Sequence, residues 1–112
     1  VLLLDKNVIG FSICFREGTS YWSENYKYFA QGLKSFLYID RIAIDQNYRR
    51  KGLGKSMYKD IFSNAHHENL RVTAEVNTKP MNQISLDFHN HMSFEQIGER
   101  QFDDNDVVYL IK

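Results

Sequence analysis

The stretch that decides the fold is Arg49-Arg50-Lys51-Gly52-Leu53-Gly54-Lys55-Ser56, which lies between an apolar run at 36–44 and an amphipathic helical pattern at 53–65. Gly52 and Gly54 let the backbone turn tightly and let a ligand approach the main chain closely. The first N–H groups of a helix have no intrahelical partners, and the helix dipole adds partial positive charge there. Together with the four basic side chains, these features predict a site for a phosphate-bearing ligand.

Two common phosphate-binding loops do not fit this stretch. A Walker A loop requires a glycine five residues before its Gly-Lys-Ser, and that position is Arg49. A dinucleotide-binding fingerprint requires a third glycine at the position of Met57. The pattern Arg/Gln-x-x-Gly-x-Gly/Ala does fit, with Arg49, Gly52 and Gly54. A solvated basic turn ahead of a helix is the structural alternative.

A second pattern lies downstream, and the two together resemble the GNAT superfamily of acetyl-CoA-dependent N-acetyltransferases. The family's signature Asn-x-x-Ser/Ala-x-x-Phe/Leu-Tyr-x-x-x-Gly-Phe is similar to a set of residues in this chain, namely Asn82, Ser85, Phe88, His89, Ser93 and Phe94. Two positions depart from the family: His89 replaces a frequent tyrosine, and Ser93 replaces a glycine. Residues 36–41 also look like a bacterial branch of the superfamily.

The composition predicts one globular domain, 1–112, with an ordinary apolar content of 43% and a charged content of 25%. Lys+Arg and Asp+Glu both number 14, and this neutral balance disfavours a dedicated nucleic-acid binder. Cys14 is the only cysteine, which excludes an internal disulfide and favours a reducing, cytoplasmic compartment. No apolar stretch approaches the ~20 residues of a membrane span. The oligomeric state is left open, and a homodimer is compatible with the sequence.

Hydrophobic periodicity predicts alternating strands and helices along the chain. Two details follow from spacing: Asp40 and Arg41 are expected on opposite faces of a strand, and Ile84, Phe88 and Met92 are expected as the buried stripe of a helix. Residues 77–80, which end in Pro80, are expected to stop the strand before them. The predicted strands are 1–4, 8–15, 36–44, 70–76, 94–102 (with a bulge at Gly98) and 107–111, and the predicted helices are 24–33, 53–65 and 82–92.

The resemblance covers nearly the whole chain and implies the α/β fold of the GNAT core from its second strand onward. The expected architecture is a mixed, mostly antiparallel twisted sheet with helices on both faces. The family's first strand and first two helices have no counterpart, so the chain is expected to be incomplete at its N-terminus.

The resemblance implies transfer of an acetyl group from acetyl-CoA to a primary amine of a small molecule or peptide. The backbone groups of Ile42, Ala43 and Ile44 would pair with the pantetheine arm of coenzyme A. The backbone N–H groups from Arg50 to Lys55 would hold its pyrophosphate. Asn82 would bond the pantetheine, with Ser85 nearby. No metal is expected, because the thioester is already activated.

Catalytic roles are expected at three positions. His89 replaces the family tyrosine and is expected to donate a proton to the departing thiolate. An amine with a pKa near ~10.4 is mostly protonated at neutral pH and must lose a proton before it attacks. Glu75 resembles the glutamate that some N-terminal acetyltransferases use on this strand, and it is the first candidate for the base. Asp40, on the preceding strand, is the second.

Two rival functions remain open at this point. A GNAT-like domain could bind coenzyme A or a partner protein without turnover, which the replacement at His89 motivates. A nucleotide-binding or nucleic-acid-binding domain could use Arg49, Arg50 and Lys51, although the neutral charge and the failed Walker A pattern count against it.

Overall fold

A computed structural model describes residues 1–112. None of its three α-helices combines the length and the apolar character that a membrane crossing requires. The strands are β1 (Leu2–Leu4), β2 (Asn7–Arg16), β3 (Leu37–Ile44), β4 (Val72–Lys79), β5 (Glu95–Gln101) and β6 (Asp106–Ile111), and the helices are α1 (Glu24–Gly32), α2 (Leu53–His67) and α3 (Gln83–His91), with a 3₁₀ turn at Gln46–Tyr48.

The six strands form one mixed sheet in the order β1-β2-β3-β4-β6-β5. Every neighbouring pair is antiparallel except β3 and β4, which are parallel and are connected through α2. The expected mixed, mostly antiparallel sheet is therefore confirmed. The predicted bulge at Gly98 is also confirmed, because the register between β5 and β6 shifts between Gln96 and Gly98.

The helices cover both faces of the sheet, as expected. On one face, α1 buries Tyr26 and Phe29 in an aromatic cluster with Phe36, Tyr38 and Tyr109. On the opposite face, α2 and the end of α3 cover a larger aliphatic cluster. The period of two along β4 assigns each residue to a face: Val72, Ala74 and Val76 enter the aliphatic cluster, whereas Thr73 and Glu75 point to the α1 face.

The parallel strands β3 and β4 diverge soon after they begin. They pair only at Leu37 with Val72 and at Tyr38 with Thr73. Beyond Tyr38, β3 continues to pair with β2, and β4 continues to pair with β6. The backbone of residues 39–44 is thus paired on one side only, and a cleft opens in the middle of the sheet.

Three expectations from spacing are wrong. Strand β4 continues through Asn77 to Lys79, because β6 pairs with it across a register shift as far as Asp106. Asp40 and Arg41 do not follow the regular alternation of side chains between the two faces of a strand, because β3 has a bulge here. Ile13 opposes Arg41 and the next residue, Cys14, opposes Ile39, so Asp40 is an extra residue on β3. As a result, Ile39 and Ile42 contact the same aliphatic cluster although they are three residues apart.

The third error concerns Ile84 in the predicted buried stripe of α3, whereas Met92 is buried and Phe88 packs half-buried against the aliphatic cluster. Ile84 is 85% exposed, and the only buried residue within α3 is His89. The helix is turned so that Ser85, His89 and the following Met92 face inward, at spacings of four and three residues. This orientation is stable because both ring nitrogens of His89 have hydrogen-bond partners inside the protein. The polar ring can therefore be buried without leaving a nitrogen unpaired.

Candidate active site

The glycine loop follows the open end of β3. Gly52 precedes α2 in a left-handed conformation with φ 74°, which glycine adopts without strain. A Cβ placed at Gly52 would meet no other atom within 4 Å, so the space beside this residue is open. Gly54 lies in the first turn of α2, and its nearest neighbour is the Ile44 side chain. No side chain caps this helix end, so its first N–H groups remain free to bind a ligand.

Basic side chains surround the loop and are exposed to solvent. Arg49 donates from Nε to the carbonyl oxygen of Ile44 at 3.0 Å, which ties the loop to the end of β3. Lys51 lies 5.6 Å from the centre of the Tyr48 ring. A groove of 430 Å³ beside them is lined by Arg41, Ile42, Ala43, Ile44 and Arg49. The structure therefore brings the predicted residues of β3 and Arg49, at the start of the predicted loop, to one groove.

The start of α3 supplies the second predicted group. Asn82 caps the helix, since its Oδ1 accepts a hydrogen bond from the N–H of Ser85 at 3.1 Å. Its amide nitrogen is left for another partner. The Ser85 carbonyl oxygen accepts a hydrogen bond from Nδ1 of His89 at 2.7 Å. Both residues thus shape the start of α3, which follows β4 at the same end of the sheet as the glycine loop.

His89 lies between α2 and α3, with both ring nitrogens engaged. Because a carbonyl oxygen can only accept, Nδ1 must carry the proton that it shares with Ser85. In the neutral ring, Nε2 then accepts a hydrogen bond that the Tyr58 hydroxyl donates at 2.7 Å. Burial lowers the pKa of His89 below its ordinary 6.5, since the charged ring would lose its hydration.

This lowered pKa predicts a stability loss in mild acid. The unfolded chain binds a proton near pH 6.5 and the folded chain does not, so the free energy of unfolding falls as the pH drops below 6.5. Urea unfolding at pH 7.5, 6.5 and 5.5 should show a smaller loss for His89→Gln than for the parent. His91→Gln, at an exposed position on the same helix, should follow the parent. Parallel curves for His89→Gln and the parent would contradict this account.

Glu75 lies on the opposite face of the sheet, at the aromatic cluster. The Tyr38 hydroxyl approaches both of its carboxylate oxygens, at 2.7 and 2.8 Å, and Asn25 donates from Nδ2 to Oε1 at 3.3 Å. Burial raises the pKa of Glu75 above its ordinary 4.5, the hydrogen bond from Tyr38 opposes this, and the negative charge of Asp40 adds to it. Glu75 has no basic partner, so it is not held in a surface ion pair.

Asp40 is on the same side of the cleft as Glu75. The Tyr21 hydroxyl donates to its Oδ1 at 2.8 Å, and Tyr21 in turn stacks on Phe15 with ring centres 4.3 Å apart. The structure therefore brings Asp40 and Glu75 to one face, and it separates both from His89, which faces the other side of β4.

Sequence reasoning missed the groups that hold these predicted residues. Tyr21, Asn25, Tyr38 and Tyr109 bond the two carboxylates or each other, and Tyr58 bonds His89. Only Tyr38 had a local signal, because it lies two residues before Asp40 on the same strand. The other pairs are separated by 19 to 84 residues, and the sequence gives no sign of such distant contacts. No three His, Cys, Asp or Glu side chains are grouped to bind a metal ion.

Comparison with solved structures identifies similar folds. The chain is similar to Arabidopsis thaliana NAA60 in complex with acetyl-CoA, with a TM-score of 0.71 and 16% identity over 96% of this chain and 66% of that one. It is similar to the ribosomal-protein-S18-alanine N-acetyltransferase from Escherichia coli, with a TM-score of 0.71 and 14% identity over 97% of this chain and 63% of that one.

A third similar structure is Arabidopsis thaliana Naa50 in complex with the bisubstrate analogue CoA-Ac-MVNAL, with a TM-score of 0.71 and 18% identity over 96% of this chain and 66% of that one. The chain thus spans less than two thirds of the length of each of these proteins. No curated protein matches the chain at a significant level. The family model for the acetyltransferase (GNAT) family matches residues 1–94, and the chain therefore belongs to that family.

Proposed function

We propose that this protein transfers an acetyl group from acetyl-CoA to a primary amine by direct attack. The observation that carries the proposal is the divergence of β3 and β4, which leaves one edge of the backbone of residues 39–44 unpaired beside the open glycine loop. An extended pantetheine arm can pair with such a strand edge as an added strand would. The acetyl-CoA and bisubstrate complexes of the similar structures support this choice of ligand.

The coenzyme A moiety would be bound by three groups of residues. Ile42, Ala43 and Ile44 offer backbone donors and acceptors along the groove. The N–H groups from Arg50 to Lys55 would bind the pyrophosphate, with the basic side chains of the loop adding charge. Asn82 would bond the pantetheine with its remaining amide nitrogen, and Ser85 would lie close by.

The chemistry needs one base and one route for a proton to sulfur. The ammonium form of the substrate loses a proton to Glu75, and the lone pair of the resulting amine attacks the thioester carbonyl carbon. The tetrahedral intermediate collapses with cleavage of the C–S bond and departure of the thiolate, and the nitrogen releases its second proton to solvent. The raised pKa of Glu75 makes it a stronger base than a surface glutamate. Asp40 remains the alternative base on the same face of the sheet.

His89 would supply the proton to sulfur through Tyr58 rather than directly, because Tyr58 is bound to its Nε2. The imidazolium would donate to the Tyr58 oxygen while the Tyr58 hydroxyl proton passes to the thiolate. Since burial lowers the pKa of His89, little imidazolium is present at pH 7. We therefore expect His89 to contribute only modestly to turnover. A thiolate is also a good leaving group and needs little help from a proton donor.

Titration with acetyl-CoA followed by an acceptor screen tests the proposal. We expect heat of binding with acetyl-CoA and amine-dependent release of free coenzyme A for at least one class among peptides, lysine derivatives, polyamines and small amines. Binding without thiol release from any acceptor would favour the non-catalytic coenzyme A-binding module instead. Absence of binding would reject both functions.

A further inference from the structure

The α1 segment is not needed to connect the strands on either side of it. Strands β2 and β3 are antiparallel neighbours whose ends meet at Arg16 and Leu37, and a turn of two to five residues commonly joins such a pair. Instead, residues 17–36 form a long connection that contains α1. Its side chains reach both carboxylates of the cleft, through Tyr21 to Asp40 and through Asn25 to Glu75.

We propose that Asn25 is a positioning residue that holds Oε1 of Glu75 and so leaves Oε2 to accept the proton of the amine. This inference rests on the proposed role of Glu75 as the general base, and the experiment below separates the two claims. Asn25 itself need not touch the substrate.

The direction of the Asn25 amide is set by Glu75, because an ionised carboxylate can only accept a hydrogen bond, and the Tyr109 hydroxyl, which can donate or accept, holds the other end of the amide. The Tyr109 hydroxyl donates to Asn25 Oδ1 at 2.9 Å, and the carbonyl end of the amide faces β6. The Nδ2 end then faces Glu75 and donates to Oε1. Tyr109 is itself fixed, because it is fully buried and stacks on Tyr28 with ring centres 3.8 Å apart. The amide would repel the carboxylate if it were flipped.

The donors are unevenly distributed over the two carboxylate oxygens. The Tyr38 hydroxyl has one proton and shares it between Oε1 and Oε2, at 2.7 and 2.8 Å. Asn25 bonds Oε1 only. Oε1 is therefore approached by two donors, whereas Oε2 has a share of one, and Oε2 retains the more available lone pairs.

The groups that face Glu75 come from every element packed around it. Tyr38 and Asp40 face it from β3, Asn25 from α1, Tyr109 from β6 and Tyr21 from the loop before α1. Burial raises the pKa of Glu75, and the hydrogen bonds from Tyr38 and Asn25 lower it. Removing the Asn25 amide should therefore raise this pKa further, because the ionised carboxylate loses a donor.

The test compares Asn25→Leu, Asn25→Asp and Tyr109→Phe with the parent, and uses Asn90→Leu at an exposed position of α3 as the matched control. The pKa of Glu75 is read directly by carbon-13 NMR of labelled glutamate. The same variants give pH profiles of kcat/KM and the KM for acetyl-CoA. Thermal unfolding reports whether each variant folds.

In Asn25→Leu, we expect the Glu75 pKa to rise and the acid limb of the kcat/KM profile to shift to higher pH by the same amount. We expect kcat/KM at pH 7 to fall roughly tenfold. Asn25→Asp should lose more, because it places a second carboxylate beside the first, and Tyr109→Phe should move in the same direction. The KM for acetyl-CoA should stay unchanged in these variants, and the Asn90→Leu control should match the parent.

An unmoved Glu75 pKa in both Asn25→Leu and Tyr109→Phe would overturn the positioning role, even if Glu75→Gln is inactive and the base role stands. A moved pKa with an unmoved profile would instead overturn the base role and the inference with it.

Discussion

Glu75→Gln is expected to lower turnover at pH 7 by at least about 100-fold while the affinity for acetyl-CoA stays unchanged. Glutamine keeps the size of the side chain and can still accept a hydrogen bond from the Tyr38 hydroxyl, but it cannot take a proton from the amine. Steady-state kinetics with the best acceptor amine and calorimetric titration with acetyl-CoA measure the two quantities. Partial recovery of turnover is expected at higher pH, because more of the amine is then already deprotonated.

The variant to compare with this one is Asp40→Asn, which removes the alternative base on the same face of the sheet. A Glu75→Gln protein within about threefold of the parent, together with an inactive Asp40→Asn protein, would assign the base to Asp40. Full activity in both variants would leave proximity alone as the source of the rate acceleration.

The same substitution has an opposite consequence for stability. Because burial raises the pKa of Glu75 in the folded protein, folding favours its protonated form. The stability associated with that proton is fully present below pH 4.5 and is lost as the pH rises through the folded pKa. The Glu75→Gln protein should therefore keep its free energy of unfolding between pH 4.5 and 7 better than the parent. The proposed base at this cleft would thus lower the free energy of unfolding in the pH range in which it would act.

The sequence predicted the order of strands and helices because each element carries its own periodic pattern. The strand at 36–44 and the helix at 53–65 appear within two residues of their expected ends, as β3 and α2. Errors arose where tertiary contacts extend or rotate an element. Strand β4 runs on to Lys79 because β6 supplies partners, and α3 turns Ile84 to solvent because Tyr58 and Ser85 satisfy His89.

The site could be predicted only in part, for a similar reason. Gly52 and Gly54 predict that a ligand can approach the backbone closely, because glycine has no side chain. The divergence of β3 from β4 depends on how the strands pair across the sheet, and no local sequence pattern indicates it. The support of Glu75 by Asn25, 50 residues away, likewise depends on the folded chain. The sequence therefore predicted the loop and the two carboxylates as parts of a site, whereas the open strand edge and the hydrogen bonds to the carboxylates are visible only in the structure.

The glycine loop gives the second large effect. Gly54→Val is expected to weaken acetyl-CoA binding on the order of 100-fold, because its side chain would occupy the approach to the first N–H groups of α2 and cost at least two charge-assisted hydrogen bonds. The fold should tolerate the change: a Cβ at Gly54 would meet only the Ile44 side chain, at an ordinary 3.6 Å. Valine also has a higher helix propensity than glycine.

Gly32→Val provides the matched control, since Gly32 ends α1 and a Cβ there meets nothing within 4 Å. Gly52→Val should also weaken binding, but the φ of 74° at this position adds backbone strain for valine, so Gly54 is the cleaner position for the test. Calorimetric titration of Gly54→Val and Gly32→Val with acetyl-CoA, alongside thermal unfolding, decides the matter. Parental affinity in a folded Gly54→Val protein would mean that the phosphates bind elsewhere, because a valine side chain and a pyrophosphate cannot share the space in front of the first turn of α2.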